Sequence, residues 1–203
     1  MRLSEYLRSV MPGETVLIEH TSLSDHPLIF YTIGSTYGWN RVLIVDIIDS
    51  VIPLLRWMRL SGLTVPDDVA RIKAGGVSNW GRFILEVDPH KDPGIFLSKF
   101  TQKLKDYYSK NPETVTIILN PERLIPIQGN SRRFILLLAN LSSVFVGNTK
   151  RRTFYFVNRE MAEKTYLGLL EEAFTRVLLL GEEGKVLIAK SPIPEDENKE
   201  IEL

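Results

Sequence analysis

Apolar residues in this chain occur in two rhythms, as short continuous runs and as longer stretches in which they return every third or fourth position. The runs VLIEH (16–20), RVLIVDII (41–48), RFILEVD (82–88), TVTIILN (114–120) and TFYFVN (153–158) predict strands buried on both faces, as in a parallel sheet. VFVG, from Val144, reads as a further short strand. The longer rhythm predicts helices. Leu3, Tyr6, Leu7 and Val10 share one face of a short docking helix over 2–10. PLIFYTIGSTY (27–37) suits a buried helix with Pro27 at its first position. VIPLLRWMRLS (51–61) follows the capping pair Asp49–Ser50 and ends at Gly62. A long amphipathic helix runs from Asp92–Pro93 to about Ser109, with Ile95, Phe96, Phe100, Leu104 and Tyr107 inward. Helices follow over 131–140 and about 160–173, while 63–81, rich in turn residues, reads as irregular.

TRVLLL and KVLIAK, flanking GEEG, predict a hairpin. Strands separated by helices imply an α/β fold of three layers, with a mostly parallel central sheet and a C-terminal antiparallel hairpin. Residues 1–190 are expected to form one domain, and the acidic 191–203 (SPIPEDENKEIEL) a mobile tail.

Composition narrows the function classes. Lys+Arg and Asp+Glu balance at 25 each, so no global charge draws the chain to nucleic acid or acidic membranes. The absence of cysteine excludes disulfides, thiolate metal sites and cysteine nucleophiles. Missing Cys and only two glutamines, Gln102 and Gln128, fit a thermophilic source. MRLSEYLRSV lacks the apolar run of a secretory signal. The longest apolar-rich stretch, FILLLANLSSVFV, spans 13 residues, short of the ~20 a bilayer needs. A cytoplasmic location is expected, with no membrane partner.

The order of these elements resembles the RecA/KaiC-type ATPase core. "GETVLIEH" sits where that family writes its first strand, and "VLIVDIIDS" (42–50) is similar to its second. "TIILNPERL" (116–124) falls where the Walker B strand belongs, and "TRVLLLGEEGKVLIAKSP" (175–192) resembles the closing strand and hairpin. More closely, the chain looks like an uncharacterised archaeal family of KaiC-like proteins without a phosphate loop. A phosphate loop needs glycines, a lysine and a Ser/Thr for Mg²⁺. HTSLSDHP (20–27) offers only the hydroxyls of Thr21, Ser22 and Ser24, beside Asp25. Asn120 stands where the family has its metal-holding carboxylate, and Ile48–Asp49 where it has an acidic pair. The resemblance therefore implies the fold without ATP hydrolysis, and side-by-side assembly into homo-oligomers.

In an open parallel sheet ligands sit beyond the carboxyl ends of the strands. His20, Thr21, Ser22, Ser24, Asp49 and Asn120 are the candidate ligand-binding set there. Helix capping is the ordinary alternative for such residues. His20, Asp25, His26 and His90 lack the H-x₃-H spacing of a metal pair, and surface or capping roles suit them better. Glu86 and Asp88 share one side of a strand, an arrangement that splits the pKa values of carboxylates when they are not simply solvated. Ser22 and Ser24 lack a G-x-S-x-G elbow. Arg132–Arg133 and Lys150–Arg151–Arg152 read as solvated loops rather than a nucleic-acid surface, with Phe154 and Tyr155 in the core. Trp57 and Trp39 are candidate interface aromatics. No catalytic residue, metal or cofactor is implied. Three readings stand open: a non-catalytic oligomeric scaffold or regulator, a module binding a nucleotide or other small ligand at the strand ends, and an enzyme of another chemistry.

Overall fold

The computed structural model describes residues 1–203. Helix α1 (Leu3–Ser9) leads into β1 (Thr15–His20), α2 (His26–Tyr37), β2 (Val42–Ile47) and α3 (Val51–Leu60). Strands β3 (Ala70–Ala74) and β4 (Arg82–Val87) precede the long α4 (Pro93–Lys110). Next come β5 (Thr114–Leu119), the single turn α5 (Leu124–Ile127), α6 (Arg132–Val144), β6 (Arg151–Asn158) and α7 (Lys164–Ala173). The chain closes with β7 (Arg176–Leu180), β8 (Lys185–Lys190) and β9 (Glu200–Glu202).

All nine strands join one sheet in the order β4-β3-β2-β5-β6-β1-β7-β8-β9. It is parallel from β4 to β7, and the C-terminal strands β8 and β9 add antiparallel. Strand alternation sends successive side chains to opposite faces. Val16 and Ile18 of β1 enter the core under α1, α2 and α3, while Leu17 enters the core under α4, α6 and α7. Those two cores hold 25 and 27 buried residues, so neither face depends on an outside partner for cover. The result is the three-layer α/β arrangement that the alternating pattern implies.

Four local expectations fail, each for a physical reason. The segment read as irregular contains β3, whose alternating Arg71 and Lys73 disguise a strand. Both side chains are nevertheless buried, Arg71 against Asp46 and Asp49 and Lys73 against Glu86 at 3.2 Å. VFVG is not a strand, because α6 continues to Val144 and Phe145 forms its C-cap. On α4 Phe96, Phe100 and Leu104 are buried as expected and Tyr107 is half-buried, but Leu97 and Tyr108 join the buried face and Ile95 is 56% exposed. The terminal segment is not a free tail: β9 pairs with β8 and buries Ile201. One apolar residue among acids was too weak a pattern to reveal that strand.

Two expectations hold. Leu3, Tyr6, Leu7 and Val10 are all buried. α2 stops at Gly38 with φ 89° as expected, although His26 rather than Pro27 takes its first position and Pro27 its second. Within α2, a Cβ on Gly34 would stand 2.3 Å from the Trp39 ring, so only glycine admits that indole.

Candidate functional site

The carboxyl ends of β5, β6 and β1 lie side by side and gather a polar cluster. His20 ends β1 and is buried. Its Nδ1–H donates to the Thr21 carbonyl at 3.0 Å, which leaves Nε2 to accept from Asn120 Nδ2 at 3.2 Å. The imidazole is thus held neutral. Burial, with the His26 ring stacked on it at 4.1 Å, pushes its pKa down to about 3. His26 is lowered too, chiefly by burial, and its Nδ1–H donates to the Ser24 carbonyl at 3.0 Å.

Asn120 follows β5 with φ 53° and ψ 52°, a left-handed conformation that Asn tolerates better than most residues. The second hydrogen of its amide goes to Glu122 Oε1 at 2.9 Å, and that oxygen also accepts from the Asn158 N–H at 3.1 Å. Glu122 is 2% exposed, and its Oε2 has no partner. Burial raises its pKa to about 7, against the pull of these donors.

Ser22 completes the cluster at the loop surface. Its N–H and hydroxyl both donate to Glu160 Oε2, at 2.9 and 2.7 Å, and its oxygen accepts from Asn158 Nδ2 at 3.0 Å. These bonds hold the exposed Glu160 carboxyl below the usual range, the Ser22 hydroxyl contributing most. Ser24 donates its hydroxyl to the Thr21 carbonyl at 2.8 Å, closing the turn before α2. Thr21 Oγ1 is buried without a partner.

Five of the six candidate residues, His20, Thr21, Ser22, Ser24 and Asn120, therefore meet in one place. Asp49 does not. It sits in a turn after β2, where Ile48 and Asp49 have φ 51° and 55°, a costly conformation for a β-branched residue. Its Oδ2 accepts from Val77 N at 2.6 Å and Ser78 N at 3.0 Å, and its Oδ1 from Arg71 Nη2 at 2.8 Å. Partial burial opposes ionisation, but these donors win and its pKa is lowered. Arg71 is fully buried, pairs with Asp46 through Nε and Nη2, and donates to the carbonyls of Ser78 and Trp80. Asp49 thus anchors the 75–81 loop, and every oxygen it presents is occupied.

The other candidates also resolve. His90 lies on Asp88 at 3.1 Å, and no three His, Asp or Glu side chains converge in a metal-binding geometry. Glu86 binds Lys73, away from Asp88's partner. Arg151, read as part of a solvated loop, is instead buried at the start of β6, donating to Glu14 O, Thr15 Oγ1, Thr153 Oγ1 and Phe145 O, while Lys150 before it is exposed. Sequence reasoning missed Asn158 and Glu160. The only signal was an asparagine at the end of an apolar run, placed as Asn120 is.

A second buried carboxyl lies on the opposite face of β1. Glu19 is raised to about 7 by burial and by the neighbouring Glu171 carboxyl.

Fold and cluster together define an α/β protein whose strand-end polar groups are bonded mainly to one another. The chain belongs to the DUF257 family, described as a Pyrococcus protein of unknown function, which it matches over residues 5–202. A solved structure from Pyrococcus horikoshii OT3 is similar at 25% identity with a TM-score of 0.83, covering 100% of this chain and 98% of that one. An uncharacterised Pyrococcus horikoshii protein, solved in complex with an unknown peptide, shares the fold at 15% identity and a TM-score of 0.56, covering 94% and 89%. No curated protein matches the chain. No helix is long and apolar enough to cross a membrane.

Proposed function

We propose that this chain is a RecA/KaiC-like domain that has lost phosphate chemistry and serves in the cytoplasm as a homo-oligomeric scaffold or regulatory domain. One observation carries the reading. The N–H and hydroxyl of Ser22, the donors a phosphate would need in the loop after β1, are taken by the Glu160 carboxylate at 2.9 and 2.7 Å. A carboxylate there competes for the donors and repels an incoming anion. Loss of the acid at Asn120, which spends both amide hydrogens on His20 and Glu122, removes a metal ligand as well. The parallel sheet with its antiparallel edge hairpin supports the RecA/KaiC-like part.

Calorimetric titration with ATP and ADP, with and without Mg²⁺, tests this. The expected result is no saturable heat at the protein's working temperature. Saturable binding tighter than about 100 μM, or about −5.5 kcal/mol, overturns the scaffold reading in favour of a nucleotide-binding module at the strand ends.

A second reading, capture of a peptide, draws support from the structural neighbour solved with an unknown peptide. In this chain β4 is an edge strand, paired on one side only, and so offers backbone groups for an added strand.

A further inference from the structure

The two edges of the sheet are unlike. Beyond β9, Arg2 forms a parallel bridge to Glu202, whose N–H donates to Met1 O at 3.1 Å; the N-terminus covers that edge. Beyond β4 nothing covers the sheet, and Phe83 on it is 39% exposed.

A bulge sets which backbone groups this open strand presents. Arg71 stands opposite Phe83 and Ile72 opposite Leu85, so Ile84 is an extra residue against β3. At the two ends of the strand, Arg82 N–H donates to Val69 O at 2.9 Å and Val87 O accepts from Gly75 N–H at 3.1 Å. Those residues face β3, and their inner neighbours Phe83 and Glu86 therefore turn both N–H and C=O to the open side. In a regular strand residues three apart turn opposite ways; here the bulge brings both to one side. The side chains follow the same symmetry. Phe83 and Glu86 lie on the α3 face beside Arg71 and Lys73, while Ile84 and Leu85 are half-buried on the α4 face.

We infer that β4 pairs antiparallel with β4 of a second copy, about a two-fold axis through the midpoint between Ile84 and Leu85. Phe83 of each copy then lies opposite Glu86 of the other, and each such pair exchanges both N–H···O bonds. On the α4 face Ile84 and Leu85 of each copy meet those of the other. On the α3 face Glu86 of each copy comes beside the Phe83 ring of the other, over which Arg71 and Lys73 stand at 5.6 and 5.5 Å. Acid thus meets base on both sides of the axis. A second copy satisfies backbone, apolar and charged groups together, and the covered β9 edge stops the pairing at two copies. The inference rests on the homo-oligomer reading above and names its interface.

The chain has no cysteine, so cross-linking tests the register directly. Phe83→Cys and Glu86→Cys, made separately and mixed in equal amounts, place thiols on residues whose Cα atoms the pairing sets about 5.5 Å apart, within disulfide reach. Two copies of the same variant hold theirs diagonally, about 8 Å apart, beyond that reach. Oxidation is expected to give a covalent dimer in the mixture and not in either variant alone. Sedimentation equilibrium of the full chain is expected to show a wild-type dimer. Its dissociation constant is expected to weaken at least about tenfold in Glu86→Pro, which deletes an outward N–H and leaves the ladder with β3 intact. Circular dichroism checks that each variant is folded, and if Glu86→Pro does not fold the cross-linking result decides alone. A wild-type monomer at every concentration overturns both this interface and the oligomer reading. A dimer that cross-links in no sample or equally in all three, or whose dissociation constant ignores Glu86→Pro, overturns this interface alone. A monomer that binds a synthetic peptide of alternating valine and threonine in calorimetry, with binding lost in Glu86→Pro, gives the edge to a peptide partner and also overturns the proposal.

Discussion

Replacing Glu122 by glutamine isolates the cost of a buried carboxylate. Glu122 is 2% exposed, and burial lifts its pKa from 4.5 to about 7. Folding therefore takes up a proton at this site. The neutral form is the one the fold prefers, so its contribution is complete below pH 4.5 and is lost as pH rises through 7. The gap between 4.5 and about 7 corresponds to about 3 kcal/mol. Glutamine keeps an oxygen for Asn120 Nδ2 and the Asn158 N–H and cannot ionise. It also puts an NH₂ where Oε2 has no partner, costing about 1–3 kcal/mol at every pH. Glu122→Gln should thus be less stable than wild type at pH 4.5. It should recover by about 3 kcal/mol, relative to wild type, by pH 8. Guanidinium unfolding of both proteins at half-unit pH steps measures the difference. Glu19, also raised to about 7, tilts both curves equally and cancels. His20, lowered to about 3, takes stability from both as pH falls through 6.5 toward 3. A difference between the two proteins that stays constant from pH 4.5 to 8 would refute the reasoning, since Glu122 would then ionise equally in folded and unfolded chains.

Further outcomes follow from packing and pairing. Arg71→Ala leaves Asp46 buried and unpaired and should cost about 3–5 kcal/mol in denaturant unfolding. Arg71→Lys should recover little, because an ammonium cannot reach Asp46, Asp49 and the Ser78 and Trp80 carbonyls together. Gly34→Ala forces a methyl against the Trp39 ring; a loss of about 1–3 kcal/mol and a shift in tryptophan emission are expected. Ile201→Ala removes the one buried side chain of β9. It should cost about 2 kcal/mol and speed proteolysis of the C-terminal segment.

Most elements were legible because buried strands write themselves as apolar runs and helices as periodic ones. VLIEH and TVTIILN needed no tertiary information to read, since six of six positions in β1 and in β5 are buried. β3 was illegible for the opposite reason. Arg71 and Lys73 look like solvent positions, and only Asp46 and Asp49, more than twenty residues earlier in the chain, explain how a guanidinium can be buried there. On α4 the stripe through Phe96, Phe100 and Leu104 was read correctly and only its edges were displaced, at Ile95, Leu97 and Tyr108, because Asp92 and Pro93 locate the start of the helix but not the limits of the stripe that faces the sheet.

The polar cluster shows the same division. His20, Thr21, Ser22, Ser24 and Asn120 could be nominated from the sequence because strand ends are where an open sheet places its polar residues. Asp49 could be nominated on the same ground, and the fold committed it to Arg71 and the 75–81 loop instead. Asn158 and Glu160 are 136 and 138 positions from Ser22, and contacts across that distance come only from the strand order β5-β6-β1.

By itself, the sequence determined most of the strands and helices, though not β3 or β9, that a parallel sheet is covered on both faces, and that no phosphate loop follows β1. Those properties follow from local patterns of burial and from residue chemistry. Only the tertiary structure decided which charges are buried and by what they are paired, that Glu160 occupies the donors of Ser22, and that one sheet edge is closed by the N-terminus while the other stays open. These depend on groups far apart in the chain being brought within a hydrogen bond, and no local pattern carries that information.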